Sequence, residues 1–184
     1  YAAAAISKGG GIYERAAKEI ELSTEAQALL GLPAVVTGPD IVRAILQLDV
    51  DLMWFGGIGT YVKASSESHG EVGDKVNDNV RINATELRAK VLGEGANLAM
   101  TQKARTEYSQ RGGRCNTDAI DNSAGVDCSD HEVNLKILFA PMMATGATTR
   151  AARDQLLRQL EPEVAKAVVE DNYLQSALLS MEAL

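Results

Sequence analysis

Two short apolar runs set the limits of this fold: VDLMWF at 50–55, ending in Gly56-Gly57, and RAKVLG at 88–93, ending in Glu94-Gly95-Ala96-Asn97. Runs of this length, apolar without alternation and cut off by small residues, predict strands buried on both faces, as in parallel sheets. A third strand is predicted over 114–120. Helical patterns alternate with these runs, which argues for an α/β fold built on a doubly wound, mostly parallel sheet.

Local signals place the helices. A helix is predicted over 14–20. Ser23 caps a second that Gly31 closes. Thr37 caps a third, with Pro39 in its first turn and Ile41, Ile45 and Leu48 on one face. Thr101 starts a helix that runs to Arg111 and ends at Gly112-Gly113. A longer helix runs from about Ser123 toward Met143. After a Thr/Gly break at 145–149, two helices flank Pro162 and share a stripe of Leu157, Leu160, Val164 and Val168. The polar run at 64–79 reads as surface loop. This organisation predicts a partial dinucleotide-binding domain over 1–144 and a helical C-terminal segment over 145–184.

Composition excludes several functions. The formal charge is −7 with no Lys/Arg block, which removes the clustered cations that phosphate-backbone binding draws on. No apolar run reaches the length of a membrane span. Cys115 and Cys128 stand in neither a CxxC nor a zinc spacing; a metal site on His69 or His131 would need carboxylates clustered with them, and none is expected. Two thiols in an acidic, unstapled chain suit a reducing, cytoplasmic compartment.

Doubly wound sheets bind ligands outside the carboxyl ends of their strands. Those ends here are Gly56-Gly57, Gly95-Ala96-Asn97, and the turn from Asp118 through Asn122 to Gly125. Small residues let the backbone come close to a flat ring or a ribose. Asn97 and Asn122 offer both a donor and an acceptor, matching a carboxamide or sugar hydroxyls. The same residues also suit strand-to-helix turns in which Gly and Asn serve geometry alone. GGIGTYV at 56–62 is no dinucleotide fingerprint, since its sixth position is Val62 and polar loop follows. Asp121, Asp127 and Asp130 fit the first turns of helices, where carboxylates favour the macrodipole. Asp118 differs in lying at a strand end.

The segments WFGGIGTYVKAS, AKVLGEGANLAMTQKARTEY and GGRCNTDAIDNSAGVDCSDHEVNLKIL resemble the large bacterial NAD-specific glutamate dehydrogenases, collinearly from about Ile6 to Leu138, and DNYLQSALLS at 171–180 resembles the helices that follow. The resemblance implies a Rossmann-type segment and NAD as cofactor. It sets Gly95, Ala96 and Asn97 against the nicotinamide end, and Asn122, from the N-x-x-G-V turn, at the nicotinamide and ribose. Gly56, Gly57 and Asp118 complete the cofactor set. Ser129 stands where glutamate-specific members carry a hydroxyl for the substrate's side-chain carboxylate. The implied substrate pair is L-glutamate and 2-oxoglutarate, with homo-oligomerisation through the full-length chain.

The family's phosphate-binding turn and catalytic Lys and Asp find no counterpart, so no catalytic residue is expected in this segment. The opening Tyr1-Ala2-Ala3-Ala4-Ala5 replaces a more charged stretch and reads as a cut from a longer chain. Two rivals stand beside this reading: a leucine- or valine-type amino-acid dehydrogenase, and a non-catalytic regulatory or assembly module on the same fold.

Overall fold

A computed structural model describes residues 3–14 and 17–182. The chain divides into two compact units between Asp118 and Ala119.

The first unit opens with a short hairpin-like pair, β1 (Ile20–Glu21) and β2 (Val35–Val36), antiparallel with Ile20 opposite Val36. Between them lies α1 (Thr24–Leu30). Ser23 caps it by accepting the Ala26 N–H at 3.1 Å, and Gly31 ends it in the left-handed region at φ 66°. Of the helix predicted over 14–20, Arg15 and Ala16 lie outside the described residues; among the described ones, Glu14 and 17–19 are not helical and Ile20 is strand. Helix α2 (Gly38–Leu46) starts in a capping box, with Thr37 and Asp40 satisfying each other's backbone N–H groups and Pro39 in the first turn. It presents Leu46 and Val42 to the core, while Ile45 is exposed. Of the predicted face, Ile41 packs against the cluster of Ile20, Leu22 and Val36 and Leu48 is half-buried, so the reading fails at Ile45.

The central sheet has three parallel strands in the order β3 (Leu52–Phe55), β6 (Val91–Glu94), β7 (Arg114–Cys115). Two further short strands, β4 (Val62–Lys63) and β5 (Ile82–Asn83), pair in parallel nearby. The fold is thus α/β with parallel strands, as expected. One detail differs. On β3, Phe55 is buried and Met53 half-buried, but Leu52 and Trp54 are 57% and 58% exposed. Successive side chains point to opposite faces, and only one face meets the cluster of Leu46, Val62, Ile82, Leu92, Met100 and Tyr108. Helix α4 (Gln102–Gln110), capped by Thr101, brings Ala104 and Tyr108 into that cluster.

The predicted loop at 64–79 is partly helical. It holds α3 (His69–Val72), capped by Ser68 and Glu71, and a 3-10 turn at Lys75–Asn77. Arg81, whose side chain is fully buried, pins this segment by donating to the Thr60 carbonyl at 2.8 Å, to Asp78 at 2.5 Å and to the Asp74 carbonyl. Strand β7 is also shorter than expected. The predicted strand over 114–120 gives way to α5 (Asp118–Asp121), because Thr117-Asp118 supplies helix-start chemistry.

In the second unit, α6 (Ser123–Ala144) and α7 (Arg150–Glu182) are joined by a break in which Gly146 takes a left-handed φ of 74°. Pro162 does not separate two helices; α7 runs through it, carried by strong helix formers on both sides. The stripe stands as read: Leu157, Leu160 and Val164 are half-buried and Val168 is buried.

Candidate functional site at the carboxyl ends of the parallel strands

The register fixes which residues meet. Phe55 is opposite Glu94, so Gly56 follows beside Gly95, and the Ala96 N–H donates to the Phe55 carbonyl at 3.0 Å. Leu92 is opposite Cys115, which carries the chain onward to Asp118 on the same edge. There the Asp118 carboxylate accepts the Leu98 N–H at 2.9 Å. The structure therefore brings Gly56, Gly57, Gly95, Ala96, Asn97 and Asp118 to one edge of one sheet. Asn122 and Ser129 belong to the second unit.

The glycines differ in what they permit. A side chain at Gly57 would meet nothing within 4 Å, and one at Gly56 would meet only the Trp54 ring at 3.9 Å. The backbone here is open to a ligand. Beside it lies an apolar cleft of about 700 Å³ lined by Leu46, Met53, Phe55, Tyr61 and Gly56-Gly57. At Gly95, by contrast, a Cβ would sit 2.6 Å from the Trp54 indole nitrogen, and at Gly93 2.3 Å from its ring carbons. The Trp54 ring lies across both glycines, so Gly95 has a packing reason to lack a side chain. Asn97 is exposed on the loop.

Behind this loop is a charge network that the sequence did not single out. Glu94, fully buried at the end of β6, receives two hydrogen bonds from Arg105 on α4: Nε to Oε2 at 2.7 Å and Nη2 to Oε1 at 2.9 Å. The same Nη2 lies 3.3 Å from the Asp118 carboxylate. Burial works against the charge on Arg105. The hydrogen bonds and attraction of Glu94, followed by the attraction of Asp118, outweigh it and raise its pKa above the ordinary value. A buried carboxylate at a strand end demands a counter-charge, and the helix just downstream offered Lys103 and Arg105. That is the signal a sequence reading could have used.

In the second unit, Asn122 stands at the N-cap of α6, and a Cβ at Gly125 would lie 2.5 Å from its Oδ1. Gly125 thus leaves room for the Asn122 carboxamide. Ser129 is exposed, its hydroxyl donating to the Gly125 carbonyl at 3.0 Å. Carboxylates do gather around His131, contrary to the sequence reading. Asp127 one turn earlier is 3.5 Å away, and Asp171 comes in from α7, with donor atoms of all three within 4.8 Å of one another. The pairing across two helices has no sequence spacing to reveal it.

The profile of one protein family, described as bacterial NAD-glutamate dehydrogenase, catalytic domain, matches residues 1–182. The chain belongs to this family. It is 51% identical over 181 residues to the NAD-specific glutamate dehydrogenase of Mycobacterium tuberculosis, covering 95% of this chain and 11% of that protein. The proteins of the same description from Pseudomonas aeruginosa and Halomonas elongata are 50% and 47% identical, covering 98% and 97% of this chain. The chain therefore spans 11% of the length of each of these glutamate dehydrogenases.

Proposed function

We propose that this chain is the nicotinamide-positioning part of an NAD-dependent glutamate dehydrogenase: residues 1–144 form the later part of a Rossmann-type domain and 145–184 the helical segment after it. The complete enzyme oxidises L-glutamate to the imine, whose hydrolysis yields 2-oxoglutarate and ammonium. NAD, when bound, accepts the hydride at its nicotinamide ring. A homo-oligomeric, cytoplasmic enzyme is part of the same proposal.

The observation that carries it is the gathering of Gly56-Gly57, Gly95-Ala96-Asn97 and Asp118 at the carboxyl edge of a parallel sheet, in a chain of this family. Open backbone at Gly56 and Gly57 gives a flat ring a floor. Asn97 acts as a polar clamp at the nicotinamide end; for Asn122, in the second unit, the family likeness implies a role at the nicotinamide and ribose. Ser129 meets the side-chain carboxylate of the substrate. Asp118 shapes the loop from the side by holding the Leu98 N–H. These groups orient and do not exchange protons with the substrate; the acid–base residues lie elsewhere in the complete enzyme. The isolated chain is accordingly inactive.

Orientation alone supplies several kcal/mol to reactions of this kind. In the full-length enzyme Asn122→Ala is expected to lower turnover at least about tenfold, equivalent to about 1.4 kcal/mol. Steady-state kinetics on folded protein decides: unchanged kcat and KM remove Asn122 from the site.

A further inference from the structure

The loop between Glu94 and Thr101 holds a conformation it would not choose alone. Leu98 has φ 67°, and it is the one non-glycine residue with positive φ among those described. Such a backbone is disfavoured for a residue with a side chain and persists only where its surroundings over-determine it. Two carboxylates do so from either side. Asp118 accepts the Leu98 N–H at 2.9 Å, and Glu94 accepts the Met100 N–H at 3.1 Å. A single guanidinium joins them, with two hydrogen bonds to Glu94 and a 3.3 Å contact to Asp118. Gln102 in turn accepts from Arg105 Nη1 at 3.0 Å, which fixes the fork against its own helix.

We infer that Arg105 is the positioning residue that holds the Gly95–Leu98 loop in its cofactor-ready shape, acting through Glu94 and Asp118 from behind the loop. The inference rests on the reading that this loop meets the nicotinamide end of NAD. Removing the guanidinium takes from Glu94 the two hydrogen bonds that Arg105 gives it and from Asp118 its 3.3 Å contact. The loop then loses its reason to hold the left-handed turn. Asn97, one residue before that turn, samples other positions, and the ring it clamps is held less often in line for hydride transfer. Lys at 105 keeps the charge but cannot span both carboxylates from a planar fork.

The test uses the complete dehydrogenase containing this chain, with Arg105→Met and Arg105→Lys. Arg105→Met is expected to reduce kcat by about thirtyfold, within the range for charge-assisted hydrogen bonds. The kinetic isotope effect with 2-deuterated glutamate should rise, because hydride transfer has become the slow step. Amide exchange at 96–100 should quicken by about tenfold, with the exchange of β3 unchanged. Arg105→Lys should show the same changes at smaller size, and it decides the matter alone if the Met variant does not fold. A kcat within twofold of wild type in folded variants overturns the inference, as does a fall in kcat with isotope effect and loop exchange unmoved. Whether NAD slows exchange at 95–98 in the wild type separates the two readings. No protection there sinks the cofactor site itself, whereas protection with unaffected Arg105 variants sinks only the role of Arg105.

Discussion

At the scale of single residues, Trp54 explains more of the site than any motif does. Its ring occupies the space above Gly93 and Gly95, which makes two glycines of VLGEGAN a matter of packing against one indole. Gly93→Ala would place a methyl about where the ring carbons now lie. Because Trp54 is 58% exposed, the ring has somewhere to go. The expected result is a displaced indole and a destabilisation of about 1–2 kcal/mol, toward the mild end for overpacking. Trp54 is the only tryptophan of this chain, so its emission should shift to the red while the fold persists; a cold, unshifted spectrum would show that the ring does not lie there. The sequence revealed Gly56, Gly57 and the Gly95–Asn97 loop as strand-end residues, because small residues after an apolar run carry that meaning locally. It could not reveal the Trp54 contact, and for the counter-charge of Glu94 it offered Lys103 and Arg105 without choosing between them. Both depend on which helix or strand lies across the loop, a fact of register and not of spacing.

At the scale of elements, caps and turns were legible and strand lengths were not. Ser23, Thr37 and Thr101 each start the helix their chemistry announces, since a cap is satisfied within a few residues. Strands take their extent from partners. Thus 114–120 shrinks to Arg114–Cys115, and Leu52 and Trp54 end on an uncovered face despite a continuous apolar run. The segment around α3 looks like plain loop in the sequence because its order comes from polar anchors. Asp74 accepts the Asn77 amide at 2.7 Å and the Thr60 N–H at 2.8 Å, and lies 3.7 Å from Arg81. Those bonds, Asn77 foremost and then Thr60, hold its carboxyl below the usual carboxylate range despite partial burial. A depressed pKa means that the stabilisation is complete above the unfolded value of about 3.9 and is lost as pH falls through the lower folded value. Asp74→Ala should therefore cost about 1–2 kcal/mol at pH 7. Thermal or denaturant melts of variant and wild type should converge as the pH falls below the unfolded value and through the lower folded one. A gap that stays constant across that range would show that the carboxylate charge contributes nothing.

At the scale of the whole molecule, the exposed apolar surface indicates how this chain behaves on its own. In the first unit, Leu52 and Trp54 leave one face of the sheet open. In the second, Val169, Tyr173, Leu174, Leu178 and Met181 stand out of α7, between 56% and 71% exposed. Positions 174, 178 and 181 recur at helical spacing, so these side chains form a stripe on one side of the helix. Contiguous apolar surface of this kind marks contact with further protein in soluble molecules. A charge of −7 opposes random association without removing the drive to cover the stripe. The chain studied alone is thus expected to self-associate reversibly in sedimentation velocity. Leu174→Gln combined with Leu178→Gln, which leaves helix propensity nearly unchanged, should return it to a monomer with the same far-UV circular dichroism. If the wild-type chain sediments as a monomer at tens of micromolar, the stripe does not drive contact. The exposed side chains of α7 would then be surface residues that need no partner.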